Sequence, residues 1–314
     1  MIHWGINALN HGSSLAVFKD GKYISCTPST EDELPSSIIE SALEHGSPDR
    51  LYWYENPWVK KARQIYAGQY DRALDMSVMP NKMLSKYGIK APLTYTPHHA
   101  SHAAAGYFTS PFNHCAIVVL DAIGEFECAS IWEGKHNRIQ KVWSRSYPNS
   151  LGLFYSAFTK LLGLTPIQDE YKLQQMAING DPTIYRARIS RYFDSGPVEL
   201  IYNFHKGVQD WRPYLGDIQN KYNIAAAVQE RFEVEVGKVM YTAKRLVNTD
   251  TLVYMGGCAM NSAANKNEVE PRFSKIWSLP NPGDPSSAIG AVTYYTQFRV
   301  YNDWDPVKHI EIRV

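Results

Sequence analysis

Residues 2–26 read IHWGINALNHGSSLAVFKDGKYISC. Apolar patterning over 2–7 and 14–19 predicts two strands, and Asp20-Gly21 is the dipeptide of a tight hairpin leading to a third strand over 22–26. The stretch 8–13 is then the first turn, and the whole is a three-stranded meander. About 110 residues further on, AIVVLDAIGEFECASIWEGKHNRIQKVWS repeats the plan. Its strands are expected over 116–121, 127–133 and 138–144, with turns at 122–126 and Gly134.

Two meanders with polar first turns predict an internally duplicated α/β fold whose turns face one cleft. That is the plan of actin, the sugar kinases and Hsp70, the ASKHA type. The expected division is an N-terminal lobe over about 1–112, a C-terminal lobe over about 113–300 and a tail over about 301–314. Apolar stripes at helical spacing predict helices over 36–45, 151–162 and 224–247. Further strands are expected over 51–54, 93–96, 252–255 and 275–279.

The chain has 314 residues, 44% of them hydrophobic, enough apolar mass for one large domain or two half-sized lobes and too much for a disordered protein. A formal charge of +1 excludes binding of nucleic acid by bulk electrostatics and leaves room only for a local basic patch. The four cysteines, Cys26, Cys115, Cys128 and Cys258, lack C-x-x-C spacing, so neither a disulfide framework nor a thiolate zinc site is expected. With no run of about 18 apolar residues and no signal-like start, no membrane association and a cytoplasmic location are expected.

The sharpest local feature is His98-His99-Ala100-Ser101-His102, which opens an alanine-rich helix. His98 and His102 lie one helical turn apart, on one face, the spacing that lets two imidazoles share a metal, although such pairs also occur without one. Asp121 ends the first strand of the second meander, and Asp284 lies in Asn281-Pro282-Gly283-Asp284. The four together form a mixed nitrogen and oxygen set suited to iron, zinc or manganese. Taken singly, each aspartate also reads as a turn or cap residue. His11 occupies the first turn. Gly256-Gly257 follows a strand and opens a helix, where backbone N–H groups can hold an anion.

GINALNHGSSLAVFKDGK, YTPHHASHAAAGYFTSPF, IVVLDAIGE, SLGLFYSAFTKLLG, DEYKLQQMA, YMGGCAMNSAANK and NPGDPSSAIGA follow one another in an order that resembles the O-carbamoyltransferase family of nodulation and cephamycin enzymes. The resemblance runs from residue 2 to about residue 292 and implies the ASKHA fold. It implies metal ligands at His98, His102, Asp121 and Asp284, and a catalytic histidine at His11. Ligand-gripping positions are implied at Glu170, Tyr171, Lys172, Gly256, Gly257 and Asn261. The implied reaction moves a carbamoyl group to an alcohol, with His11 or His99 taking the acceptor proton and Lys172 neutralising the departing phosphate.

Family members continue into a YrdC-like domain that makes carbamoyladenylate from carbamoyl phosphate and ATP. Only about two dozen residues follow Ala291 here. The expected donor is therefore carbamoyl phosphate used directly, or carbamoyladenylate made in the cleft or supplied by a separate donor-activating protein. Basic and aromatic residues interleave at 58–66, 141–147 and 185–193, a composition suited to extruded or single-stranded nucleotides and equally to a charged surface. The build resembles bacteriophage enzymes that modify 5-hydroxymethylcytosine in DNA, which is the expected acceptor, with a sugar or antibiotic hydroxyl as the alternative. A small-molecule kinase of the same superfold using Asp121 as base, or an inactive partner subunit, are readings from other classes.

Overall fold

The computed structural model describes residues 1–211 and 215–300; the tail expected over 301–314 lies outside the described residues. The strands are β1 (Ile2–Asn10), β2 (Gly12–Lys19), β3 (Lys22–Ser29), β4 (Arg50–Trp53), β5 (Leu93–Tyr95), β6 (His114–Gly124), β7 (Glu127–Lys135), β8 (Arg138–Ser146), β9 (Thr251–Met255) and β10 (Lys275–Trp277). The α-helices are α1 (Ser36–Leu43), α2 (Pro57–Tyr66), α3 (Tyr70–Leu74), α4 (Pro80–Lys86), α5 (His98–Thr109), α6 (Leu151–Leu161), α7 (Glu170–Ala177), α8 (Arg186–Ser190), α9 (Ile218–Val247), α10 (Ser262–Ala264) and α11 (Ser287–Thr296).

Two five-stranded sheets carry one connectivity twice, in the orders β3-β2-β1-β4-β5 and β10-β9-β6-β7-β8. In each, an antiparallel meander supplies three strands, and a parallel strand then pairs with the meander's first strand. A fifth strand adds in parallel outside it. This is the duplicated α/β plan read from residues 2–26 and 116–144. The first strands run longer than expected because both continue into the turn, β1 to Asn10 and β6 to Gly124, with a register shift at each end.

The buried apolar residues form two clusters, and the first also takes in Ile117, Val119, Val253 and Met255 of the second sheet. The second gathers Phe154, Phe158, Tyr192, Phe193, Phe204 and Trp211 against α9 and β6. Their rings meet mainly edge to face, so much of the chain's aromatic content is core here rather than a stacking surface. All twelve residues of α5 are buried, and its alanines permit that, because a helix covered on every side needs small side chains where neighbours approach.

Helix α11 crosses back to the first sheet. Its residues Ala288, Ile289, Ala291 and Val292 pack in the first cluster with Trp4 and Ile6. Gly290 and Gly5 are the reason the chain can return there. A Cβ on Gly290 would lie 1.6 Å from the Ser101 carbonyl oxygen of α5, and one on Gly5 would lie 1.9 Å from the Ala288 carbonyl oxygen. Replacing Gly290 with alanine should therefore lower stability by at least about 1–3 kcal/mol, read as a drop in melting temperature, because backbone stands in the way on the facing helix.

Candidate metal centre

Three chain segments meet at the first turn of α5. Helix α5 brings His98 and His102, the C-terminal part of β6 brings Asp121, and the turn before α11 brings Asp284. One ligand atom from each lies within 4.8 Å of every other. His98 Nε2 is 3.0 Å from His102 Nε2, 3.1 Å from Asp121 Oδ2 and 3.4 Å from Asp284 Oδ1. His102 Nε2 is 3.6 Å from Asp121 Oδ2 and 3.3 Å from Asp284 Oδ1. Ligands at about 2.0–2.1 Å from a tetrahedral cation are about 3.3 Å apart, so these spacings and this donor set fit a divalent transition metal.

Surrounding groups hold the four in place. Gly257 N donates to Asp121 Oδ1 at 3.3 Å, Asn10 Nδ2 donates to Asp284 Oδ2 at 3.3 Å, and Ser287 Oγ lies 3.3 Å from His102 Nδ1. Gly124 presses on the opposite side, since a Cβ there would lie 2.0 Å from His98 Cδ2. Burial alone would lower the His98 and His102 imidazoles, but the two carboxylates outweigh it; His98 is raised to about 9 and His102 is raised as well. Burial would likewise raise the carboxyls, yet their contacts with the two imidazoles hold Asp121 well below its ordinary value and lower Asp284.

The remaining candidates are less concentrated. His11 is exposed at the β1–β2 turn, next to Asn10. His99 is 1% exposed, its Nδ1 2.8 Å from Ser130 Oγ, and burial pulls it well below the ordinary imidazole value, so it is neutral. Gly256 N donates to Pro282 O at 2.8 Å and Gly257 N to Asp121 Oδ1, so the N–H pair expected to face an anion is engaged within the chain. Gly256 itself has φ +93 and lies against the Leu120 carbonyl, a position open only to glycine.

Farther along, Glu170 Oε1 accepts from Ile167 N in the preceding loop at 2.6 Å and from Ser156 Oγ on α6 at 2.7 Å. Lys172 pairs with Asp169 at 2.8 Å, and Tyr171 is exposed. Asn261 caps α10 through Ala264 N and exchanges hydrogen bonds with Gln229. Sequence reading passed over Glu55, which is 5% exposed and faces His98 from the end of β4. The signal was available: a carboxylate just past the carboxyl end of an apolar parallel strand is where open α/β sheets bind ligands.

The basic and aromatic segments engage other parts of the chain. Lys60 pairs with Glu55 at 2.7 Å, Lys61 donates to the Asp75 carbonyl at 2.7 Å, and buried Arg63 donates to the Glu125 carbonyl at 3.2 Å. Lys141 pairs with Glu127 and Arg145 with Glu199. Arg186 holds Glu230 in a bidentate pair at 2.7 Å, and Arg188 lies 4.4 Å over the Trp211 ring. The four cysteines are free thiols, and among the described residues no helix is long and apolar enough to cross a membrane.

Residues 51–293 match the family described as Carbamoyltransferase N-terminus. The chain belongs to this family. It is 25% identical to the nodulation protein NolNO of Sinorhizobium fredii over 91% of this chain and 46% of that protein. Identity is 28% to NolO of Bradyrhizobium diazoefficiens (62% and 37% covered) and 28% to the uncharacterised protein sll1178 of Synechocystis (91% and 55% covered). The chain thus spans roughly a third to just over half the length of these relatives. Among solved structures, the activator of 2-hydroxyisocaproyl-CoA dehydratase from Clostridium difficile aligns over the full length of both chains at 12% identity and a TM-score of 0.49.

A pH effect follows from the paired charges. His98 is raised from 6.5 to about 9, so the stability it contributes is complete below pH 6.5 and is lost as pH rises through 9. Thermal unfolding of the metal-free protein against a His98→Gln variant should show a stability difference that shrinks across that window; a difference independent of pH would contradict it.

Proposed function

We propose that the chain transfers a carbamoyl group to an alcohol, with His98, His102, Asp121 and Asp284 holding a divalent cation. The observation that carries this reading is the convergence of two imidazoles and two carboxylates from three segments within the residues matched to the family. A bound cation would supply Lewis-acid polarisation of a carbamoyl or phosphoryl oxygen. Asp284 is held by Asn10 from the β1–β2 turn, so the same turn that steadies the ligand presents His11 to solvent. His11 would take the proton from the acceptor hydroxyl, a role for which buried, neutral His99 is poorly sited.

Carbamoyl phosphate is the proposed donor, used directly or after activation with ATP to carbamoyladenylate in this protein or a partner. Glu170, Tyr171, Lys172 and Asn261 are proposed to line the donor's path, Lys172 through its charge. For the acceptor, 5-hydroxymethylcytosine in DNA stays within the proposal alongside a sugar or antibiotic hydroxyl. The ion pairs at Lys60, Lys141 and Arg186 favour the small hydroxyl, since polyanion binding would have to break them.

Incubation with carbamoyl phosphate and Zn²⁺, Mn²⁺ or Fe²⁺, with and without ATP, is expected to add one carbamoyl mass to an acceptor hydroxyl. Hydroxymethylated DNA and a panel of sugar alcohols, read by mass spectrometry, would identify the acceptor. His98→Ala and Asp284→Ala should each abolish cation binding and transfer together. Phosphate transfer from ATP that survives His98→Ala would overturn the reading in favour of a kinase.

Cation affinity should itself depend on pH. A protonated imidazole cannot ligate, so apparent affinity is expected to rise with pH until His98 has lost its proton near about 9 and then level off. Proton release on calorimetric titration in buffers of different ionisation enthalpy measures this directly.

A further inference from the structure

His98 shows two faces to the protein. Its Nε2 points into the four-residue cluster, while its Nδ1 is buried and, among the described residues, has no hydrogen-bond partner. Glu55 Oε2 lies 3.9 Å from that Nδ1. The carboxylate is 7% exposed and does not swing freely, because Lys60 Nζ holds Oε1 at 2.7 Å. The ring is confined as well, by Tyr54 with its centroid 5.3 Å away and by Gly124 against Cδ2.

We propose that Glu55 is a positioning residue for the cation centre, accepting the Nδ1–H of His98 so that the Nε2 lone pair faces the metal. The proposal rests on reading the four-residue cluster as a cation site. An imidazole that ligates through Nε2 must carry its proton on Nδ1, and a buried N–H calls for an acceptor. Glu55 Oε2 is the carboxylate oxygen facing that nitrogen, about 1 Å beyond hydrogen-bond length. The proposal requires ring and carboxylate to close this gap of about 1 Å when the cation binds. Lys60 completes the device, since by occupying Oε1 it leaves Oε2 turned toward the ring.

Calorimetric titration of the metal-free protein with Zn²⁺ alone tests this, with melting temperatures recorded for each variant. Glu55→Met, close in size and without an acceptor, should weaken binding about 10–100-fold. Glu55→Gln keeps an acceptor oxygen and should restore most of the affinity. Lys60→Met removes the ion pair but not the carboxylate and should cost part of the affinity, less than Glu55→Met. Wild-type affinity in a folded Glu55→Met overturns the proposal and leaves the cation reading intact, whereas a wild type that binds no Zn²⁺ defeats both. Equal losses in Glu55→Met and Glu55→Gln, or an equal loss in Lys60→Met, also overturn it, because packing or the ion pair would then account for the effect. Should Glu55→Met not fold, Glu55→Asp takes its place, with the shorter side chain withdrawing the oxygen from the ring and the same loss expected.

Discussion

Two buried imidazoles with Nε2 atoms 3.0 Å apart are a repulsive arrangement once both are charged. Asp121 and Asp284 compensate it, and neither is near α5 in sequence. The fold must therefore bring the end of β6 and the turn before α11 to the same end of α5. The return of α11 to the first sheet is the part of the architecture on which that meeting depends. Gly5 and Gly290 permit it by letting backbone pass backbone at distances no side chain would tolerate.

The duplicated meander makes the rest of the geometry follow. Each first strand runs past its regular pairing and breaks register near its turn, β1 at Asn7 to Asn10 and β6 at Leu120 to Gly124. Those irregular ends carry residues that meet the four-residue cluster. Asn10 reaches Asp284 from one turn, and Asp121 and Gly124 address His98 from the other. Strands that paired regularly to their ends would direct these residues along the sheet rather than out of it.

The two meanders, the His98–His102 spacing and the positions of both aspartates were legible because each rests on local pattern: a hairpin dipeptide, a helical turn, a strand end. What escaped was set by packing between distant segments. The packing of α11 on the first sheet is one such case, since sequence order says nothing of a return. Gly256 and Gly257 were read as anion-binding because a strand-to-helix glycine pair leaves N–H groups to be satisfied. Pro282 and Asp121, from other parts of the chain, satisfy them. Glu55 escaped because a single carboxylate after WY has no periodicity to mark it.

The same distinction bears on the aromatic and basic residues. Composition offers both stacking platforms and core, and the rings of Phe154, Phe158, Phe193 and Phe204 go to a core closed by edge contacts. The cations interleaved with aromatics look like a nucleic-acid surface when only sequence neighbours are considered. Lys60, whose partner lies five residues before it, and Arg186, whose partner lies on α9, show how tertiary pairing converts such a segment into structure. Lys60 has a more pointed role, because its partner Glu55 faces His98. A residue that resembles part of a binding patch thus sits two contacts from the four-residue cluster, through the carboxylate it holds.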